Sequence, residues 1–114
     1  MEKKGLKFLI LLFYYSRPKM VLNALTSINK LEYKNFEVAF IDDGSDHPGK
    51  PIAEEHLKRS ILKKVKFYNT YDTIRQKIDR GGSEFGKVAN EVVKNSDADI
   101  VLMLCDNDAL FPDY

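Results

Sequence analysis

The chain has 114 residues, with 18 basic and 17 acidic side chains, a formal net charge of +1, 44% hydrophobic residues and one cysteine. That length and apolar content suit one small domain with its own core and exclude a disordered chain. The charge balance argues against nucleic-acid binding, and a single cysteine excludes an intrachain disulfide and fits a reducing, cytoplasmic setting.

The N-terminus, MEKKGLKFLILLFYYSRP, joins basic residues to an apolar run. Tyr14, Tyr15, Ser16 and Arg17 do not form a small-residue cleavage site, and the run is too short to span a bilayer. Leu6 to Phe13 is therefore expected as a buried strand. Its unbroken apolarity predicts cover on both faces, as in parallel sheets. Val21, Leu25, Ile28 and Leu31 then recur at helical spacing. Ser16 is the expected N-cap, and Pro18 is tolerated in the first turn.

Val38 to Ile41 is a second strand, followed by the loop Asp42-Asp43-Gly44-Ser45-Asp46. Residues 52 to 64 are expected as one helix, with Ile52, Leu57, Ile61 and Leu62 inward. Residues 65 to 70, VKFYNT, form a third strand. Residues 71 to 82 have weak periodicity and end in two glycines, which predicts a loop. A helix is expected over about 84 to 95, and Ile100 to Leu104 is the fourth strand, with Cys105 expected as a small buried hydrophobe. The order β-α-β-α-β-α-β predicts an α/β fold, a mostly parallel sheet of about four strands flanked by helices. Ligands of such sheets bind beyond the carboxyl ends of the strands.

Three strand ends carry polar sequence. The last gives Asp106-Asn107-Asp108. Two carboxylates about 5 Å apart repel by roughly 3 kcal/mol at an effective dielectric near 20. A Mg²⁺ or Mn²⁺ ion between them would reverse that sign; a solvated turn is the ordinary alternative. The DDGS loop is equally open: a tight turn, or a carboxylate accepting a hydrogen bond from a base or ribose hydroxyl. Tyr14 and Tyr15 could pack in the core or offer a ring for stacking. Arg75, Lys77, Arg80 and Lys87 could meet a diphosphate or simply form a basic surface. Neither a P-loop nor a G-x-G-x-x-G pattern is present. His47 and His56 are expected at the surface.

Taken together and in order, FLILLFYYSRP, LTSINKLEYKNFEVAFIDDGSDHP, GGSEFGKVAN and DADIVLMLCDNDALFPDY resemble the family 2 glycosyltransferases of GT-A fold, over nearly the whole chain. The resemblance implies a Rossmann-like nucleotide-sugar-binding half. Phe13, Tyr14 and Tyr15 would hold the nucleotide base, with Arg17 and Lys87 near the nucleotide and Asp43 on the base or ribose. Asp106 and Asp108, the D-x-D motif, would carry Mn²⁺ or Mg²⁺ against the diphosphate, Asp106 also touching the nucleotide. The implied reaction transfers a sugar, with inversion, from a nucleoside-diphosphate sugar, first of all a UDP-sugar, to a saccharide, lipid or protein acceptor. The family's Pro-Thr-Tyr-Asn is replaced by Phe13-Tyr14-Tyr15-Ser16, and its Ala-Arg-Asn stretch by Lys87-Val88-Ala89-Asn90, so Lys87 is the stand-in for a phosphate-binding arginine.

The domain, 1–114, is expected to be incomplete at its C-terminus, with the catalytic general base beyond Tyr114. A homo-oligomer and a cytoplasmic location, peripheral at the inner face of a membrane, complete the expectation. The competing readings are a non-catalytic nucleotide-binding or interaction module of the same fold, and a nucleotidyltransferase.

Overall fold

The computed structural model describes residues 5–70 and 85–106. The most apolar stretch of the chain, Phe8–Tyr14, is strand β1, and it lies inside a four-stranded sheet. On one side it pairs in parallel with β2 (Phe36–Asp42), and on the other with β4 (Ile100–Cys105). Strand β3 (Val65–Asn69) pairs in parallel with the outer edge of β2, so the order is β3-β2-β1-β4. Parallel neighbours need long crossovers. Helix α1 (Pro18–Asn29) lies between β1 and β2 in the chain, α2 (Lys50–His56) and α3 (Arg59–Leu62) between β2 and β3, and α4 (Phe85–Lys94) before β4.

The unbroken apolar runs of β1 and β2 follow from cover on both faces. Ile10, Leu12, Val38 and Phe40 meet Val21, Ala24, Leu25 and Ile28 of α1, with Ala53, Leu57 and Ile61. Their alternates Leu9, Leu11, Ala39 and Ile41 meet Ala89 and Val92 of α4. Each fully buried aliphatic side chain contributes roughly 1.5–3 kcal/mol, so the two central strands anchor the fold.

Three expectations are corrected. Among the described residues strand β4 is at the edge of the sheet, and it alternates: Leu104 is buried, whereas Met103 is 72% exposed. Cys105 shares the open side and is exposed rather than buried. The helix expected over 52–64 is broken into α2 and α3, with extended backbone at Leu57. Asn29 holds the break from α1: its side-chain amide donates to the His56 carbonyl at 2.8 Å, and its oxygen accepts the Lys58 N–H at 2.9 Å. Finally, Ser16 does not cap α1; the N-cap position is Arg17 and has no side-chain cap. The loop expected over 71–82 lies outside the described residues. No described helix is long and apolar enough to cross a membrane.

Candidate functional site

Parallel register brings the strand ends to one rim. Tyr14 is level with Asp42, Asp42 with Asn69, and Phe13 with Cys105. The residues that follow each strand therefore meet: Tyr15 to Arg17, Asp43 to Asp46, Thr70 and Asp106.

Asp42 shapes the rim. It is buried, and its two oxygens accept the Ser45 N–H at 3.1 Å and the Gly49 N–H at 2.9 Å. One carboxylate thus closes the whole 42–49 loop, with Gly44 supplying the left-handed step at φ 68°. Tyr14 is scaffold as well. Its ring is wholly buried beside Phe40, and its hydroxyl donates to the His47 carbonyl at 2.7 Å. Burial, then the charge of Asp42, pushes that hydroxyl up to about 12. The expectation that Tyr14 offers its ring to a base is therefore corrected: β1 points that side chain into the core. Gly49 packs against the same rings; a Cβ there would lie 2.4 Å from Phe40 and 2.9 Å from Tyr14.

Asp43 is 1% exposed. Its N–H donates to the Tyr14 carbonyl at 3.0 Å, and its carboxylate accepts the Thr70 hydroxyl. Thr70 is fixed in turn by its own N–H, which donates to the Asp42 carbonyl at 3.0 Å. Asp106 is also buried; it accepts the Tyr15 N–H at 3.2 Å and lies 3.8 Å from the Arg17 guanidinium. The loop after β1 is locked to the loop after β2. Ser16 adopts φ 45°, a left-handed conformation unusual for a residue with a side chain. Its N–H donates to the Ser45 hydroxyl at 2.8 Å, its hydroxyl donates to the Asp46 carboxylate, and the Asp46 N–H donates back at 3.1 Å. The Ser16 hydroxyl is the main cause that holds the Asp46 carboxyl below its usual range.

A hollow of about 250 Å³ opens beside Asp106, lined by Phe13, Tyr15, Arg17, Phe85 and Cys105 as well. Phe13 and Phe85 meet edge to face at 5.0 Å. That volume falls below the roughly 300–1,000 Å³ of pockets for drug-sized ligands, and suits one ring-sized group. A second hollow of about 350 Å³ contains Tyr68, Asn69, Thr70 and Lys87. So Phe13, Tyr15, Arg17 and Asp106 are gathered in one place. Lys87 lines a different hollow, which it shares with the threonine that holds Asp43. Asp108, Arg75, Lys77 and Arg80 lie outside the described residues.

Asp106 offers the hard oxygen that Mg²⁺ or Mn²⁺ takes, and a carboxylate with two partners keeps lone pairs free. Among the described residues no group of three metal-ligand side chains occurs. The donor chemistry fits a divalent ion with Asp106 as one ligand. Thr70 and Asp46 are site residues that the sequence did not single out, and Ser16 and Ser45, named there only as a cap and as part of the DDGS loop, take hydrogen-bonding roles at the rim. Only Asp42-x-x-Ser45, a spacing typical of an aspartate-closed turn, was a usable signal.

The Glycosyl transferase family 2 model matches residues 9–114. A comparison with curated proteins gives no match. Among solved structures, S. aureus TarS 1–349 is 25% identical with a TM-score of 0.67, covering 90% of this chain and 28% of that one. The same TarS fragment in complex with UDP has a TM-score of 0.73 at 24% identity, covering 94% and 29%. Its complex with UDP-GlcNAc has a TM-score of 0.69 at 23% identity, covering 90% and 27%. The chain thus spans less than a third of the length of these structures.

Proposed function

This chain belongs to glycosyl transferase family 2, and we propose that it is the donor-binding half of an inverting glycosyltransferase that takes a nucleoside-diphosphate sugar. The observation that supports this best is the placement of Asp43 and Asp106 on one rim, flanking the end of β1, beside a ring-sized aromatic hollow.

In this reading the aromatic walls Phe13, Tyr15 and Phe85 hold the base. Asp43, kept in place by Thr70, accepts a hydrogen bond from a base N–H or a ribose hydroxyl. Arg17 brings positive charge to the phosphates from its place against Asp106. Asp106 and Asp108 would hold Mn²⁺ or Mg²⁺, which when bound supplies charge neutralisation for the departing nucleoside diphosphate. Lys87, which lines the second hollow together with Thr70, would approach a phosphate from there. The general base that activates the acceptor hydroxyl belongs, in this proposal, outside these 114 residues.

UDP is the first nucleotide to test, because the similarly folded TarS is solved with it. Melting of the 114-residue chain is followed with UDP, GDP or CDP, each with and without Mn²⁺. Binding at a hundredfold excess over the dissociation constant adds about 2.7 kcal/mol of stability. A metal-dependent rise in Tm, lost in Asp108→Asn, is the expected result. No rise with any nucleoside diphosphate would contradict the proposal.

A further inference from the structure

We propose that the end of the molecule opposite the strand carboxyl ends, on its β2–β3 side, is a docking surface for an anionic lipid bilayer. Segments 30–34 and 56–64 contain six lysines and arginines, Lys30, Lys34, Lys58, Arg59, Lys63 and Lys64, and one acid, Glu32. The whole chain nets only +1, so the remainder is net acidic. The nearest acids along the chain, the exposed Glu54 and Glu55, precede the second segment on α2, so cations outnumber acids six to three over the patch and this flank.

The two segments form one patch. Asn29 binds the backbone on both sides of the α2–α3 corner, which places Lys30 beside Lys58. The Lys64 ammonium donates to the Lys34 carbonyl, and those two side chains repel each other. Lys34 precedes β2, and Lys63 and Lys64 precede β3. All lie away from Asp43 and Asp106, so a surface bound here leaves the rim open. Five of the six are exposed. None of the six forms an ion pair among the described residues, where the pairs are Lys7 with Glu37 and Asp97, and Arg17 with Asp106. Asp97 and Asp99 share this end of the sheet but sit beside β1 and β4, where Lys7 engages both.

The chemistry favours lipid over nucleic acid. Five of the six cations are lysines, point charges on flexible stems, rather than the planar forks suited to bidentate phosphate recognition. Among the described residues no free aromatic platform for stacking a base accompanies them. The Phe36 ring lies under the Lys64 ammonium at 4.5 Å, and the Tyr33 hydroxyl is bound to the Leu6 carbonyl. A spread of lysines that form no ion pair among the described residues fits the diffuse negative charge of a leaflet rich in anionic headgroups.

The test is co-sedimentation of the 114-residue chain with vesicles of phosphatidylglycerol and phosphatidylcholine, against phosphatidylcholine alone. Binding only to anionic vesicles, weakening as salt rises, is expected. Each lysine or arginine removed should weaken binding about fivefold, so Lys58→Gln with Arg59→Gln and Lys63→Gln should weaken it about a hundredfold. Lys19→Gln with Lys94→Gln, which removes exposed cations elsewhere, should leave most of it. If the triple variant melts early, the single Lys63→Gln, with its fivefold loss, decides the matter. The proposal is overturned by failure to sediment at low salt, by equal losses in both multiple variants, or by binding of single-stranded RNA with vesicles ignored. None of these readouts uses a nucleotide, so the outcome is independent of the donor-site reading.

Discussion

Asp43 and Asp106 stand on opposite sides of a single peptide unit. The Tyr14 carbonyl accepts the Asp43 N–H, and the Tyr15 N–H, the other pole of the same peptide group, donates to the Asp106 carboxylate. The two acids are 63 positions apart in the sequence numbering, yet the tip of β1 sets their separation. Asp106→Asn keeps an oxygen for Tyr15 but removes the charge facing Arg17. It should leave the fold intact and weaken UDP–Mn²⁺ binding at least tenfold, about 1.4 kcal/mol. Calorimetric titration of the variant checks this; unchanged affinity would remove Asp106 from the site.

Thr70 is the support for Asp43. Thr70→Val preserves shape and deletes the hydroxyl, leaving a buried carboxylate with one partner fewer. The expected cost is about 1–3 kcal/mol in urea denaturation, together with weaker nucleotide binding. A loss of affinity without a loss of stability would mean that Thr70 touches the nucleotide itself.

Ser16 tests whether the lock between the first two loops depends on backbone shape. Ser16→Gly and Ser16→Ala both lose the hydroxyl, but only glycine accepts φ 45° without strain. The glycine variant should be the more stable by about 1 kcal/mol. Equal stabilities would show that the left-handed turn is not maintained in solution.

Tyr14 gives the fold an alkaline limit. Its hydroxyl ionises near 10 when unfolded and is pushed up to about 12 when folded, mainly by burial. The folded state therefore holds its proton more tightly. The stabilisation is complete below pH 10 and is lost as pH rises towards 12. Denaturation midpoints measured across that interval should fall in the wild type and fall less in Tyr14→Phe. That variant should also lose about 1 kcal/mol at neutral pH with the bond to His47.

The alternation of strands and helices was legible because each element has its own apolar period, and β1 read as buried on both faces because it is. Strand β4 misled for the same reason in reverse. Its apolar run looks identical, but its edge position exposes Met103 and Cys105. The break between α2 and α3 was invisible because Asn29, more than two dozen residues earlier, supplies it. Asp43 and Asp106 could be placed on a common rim from parallel topology alone. Tyr14 could not be assigned, since the strand pleat decides whether a ring at a strand end faces core or cleft. Thr70 and the Ser16–Asp46 pair depend on loops that meet only after folding.

The most direct test of a nucleotide site on this rim is residue-resolved. The 114-residue chain, labelled with ¹⁵N, is titrated with UDP and Mg²⁺ while its amide resonances are followed. The amides of Tyr15, Ser16, Asp43 and Asp106 should shift together and saturate with one dissociation constant. Shifts confined to the opposite end of the sheet, around Lys7, Glu37 and Ser96, or no saturable shift at all, would contradict the account.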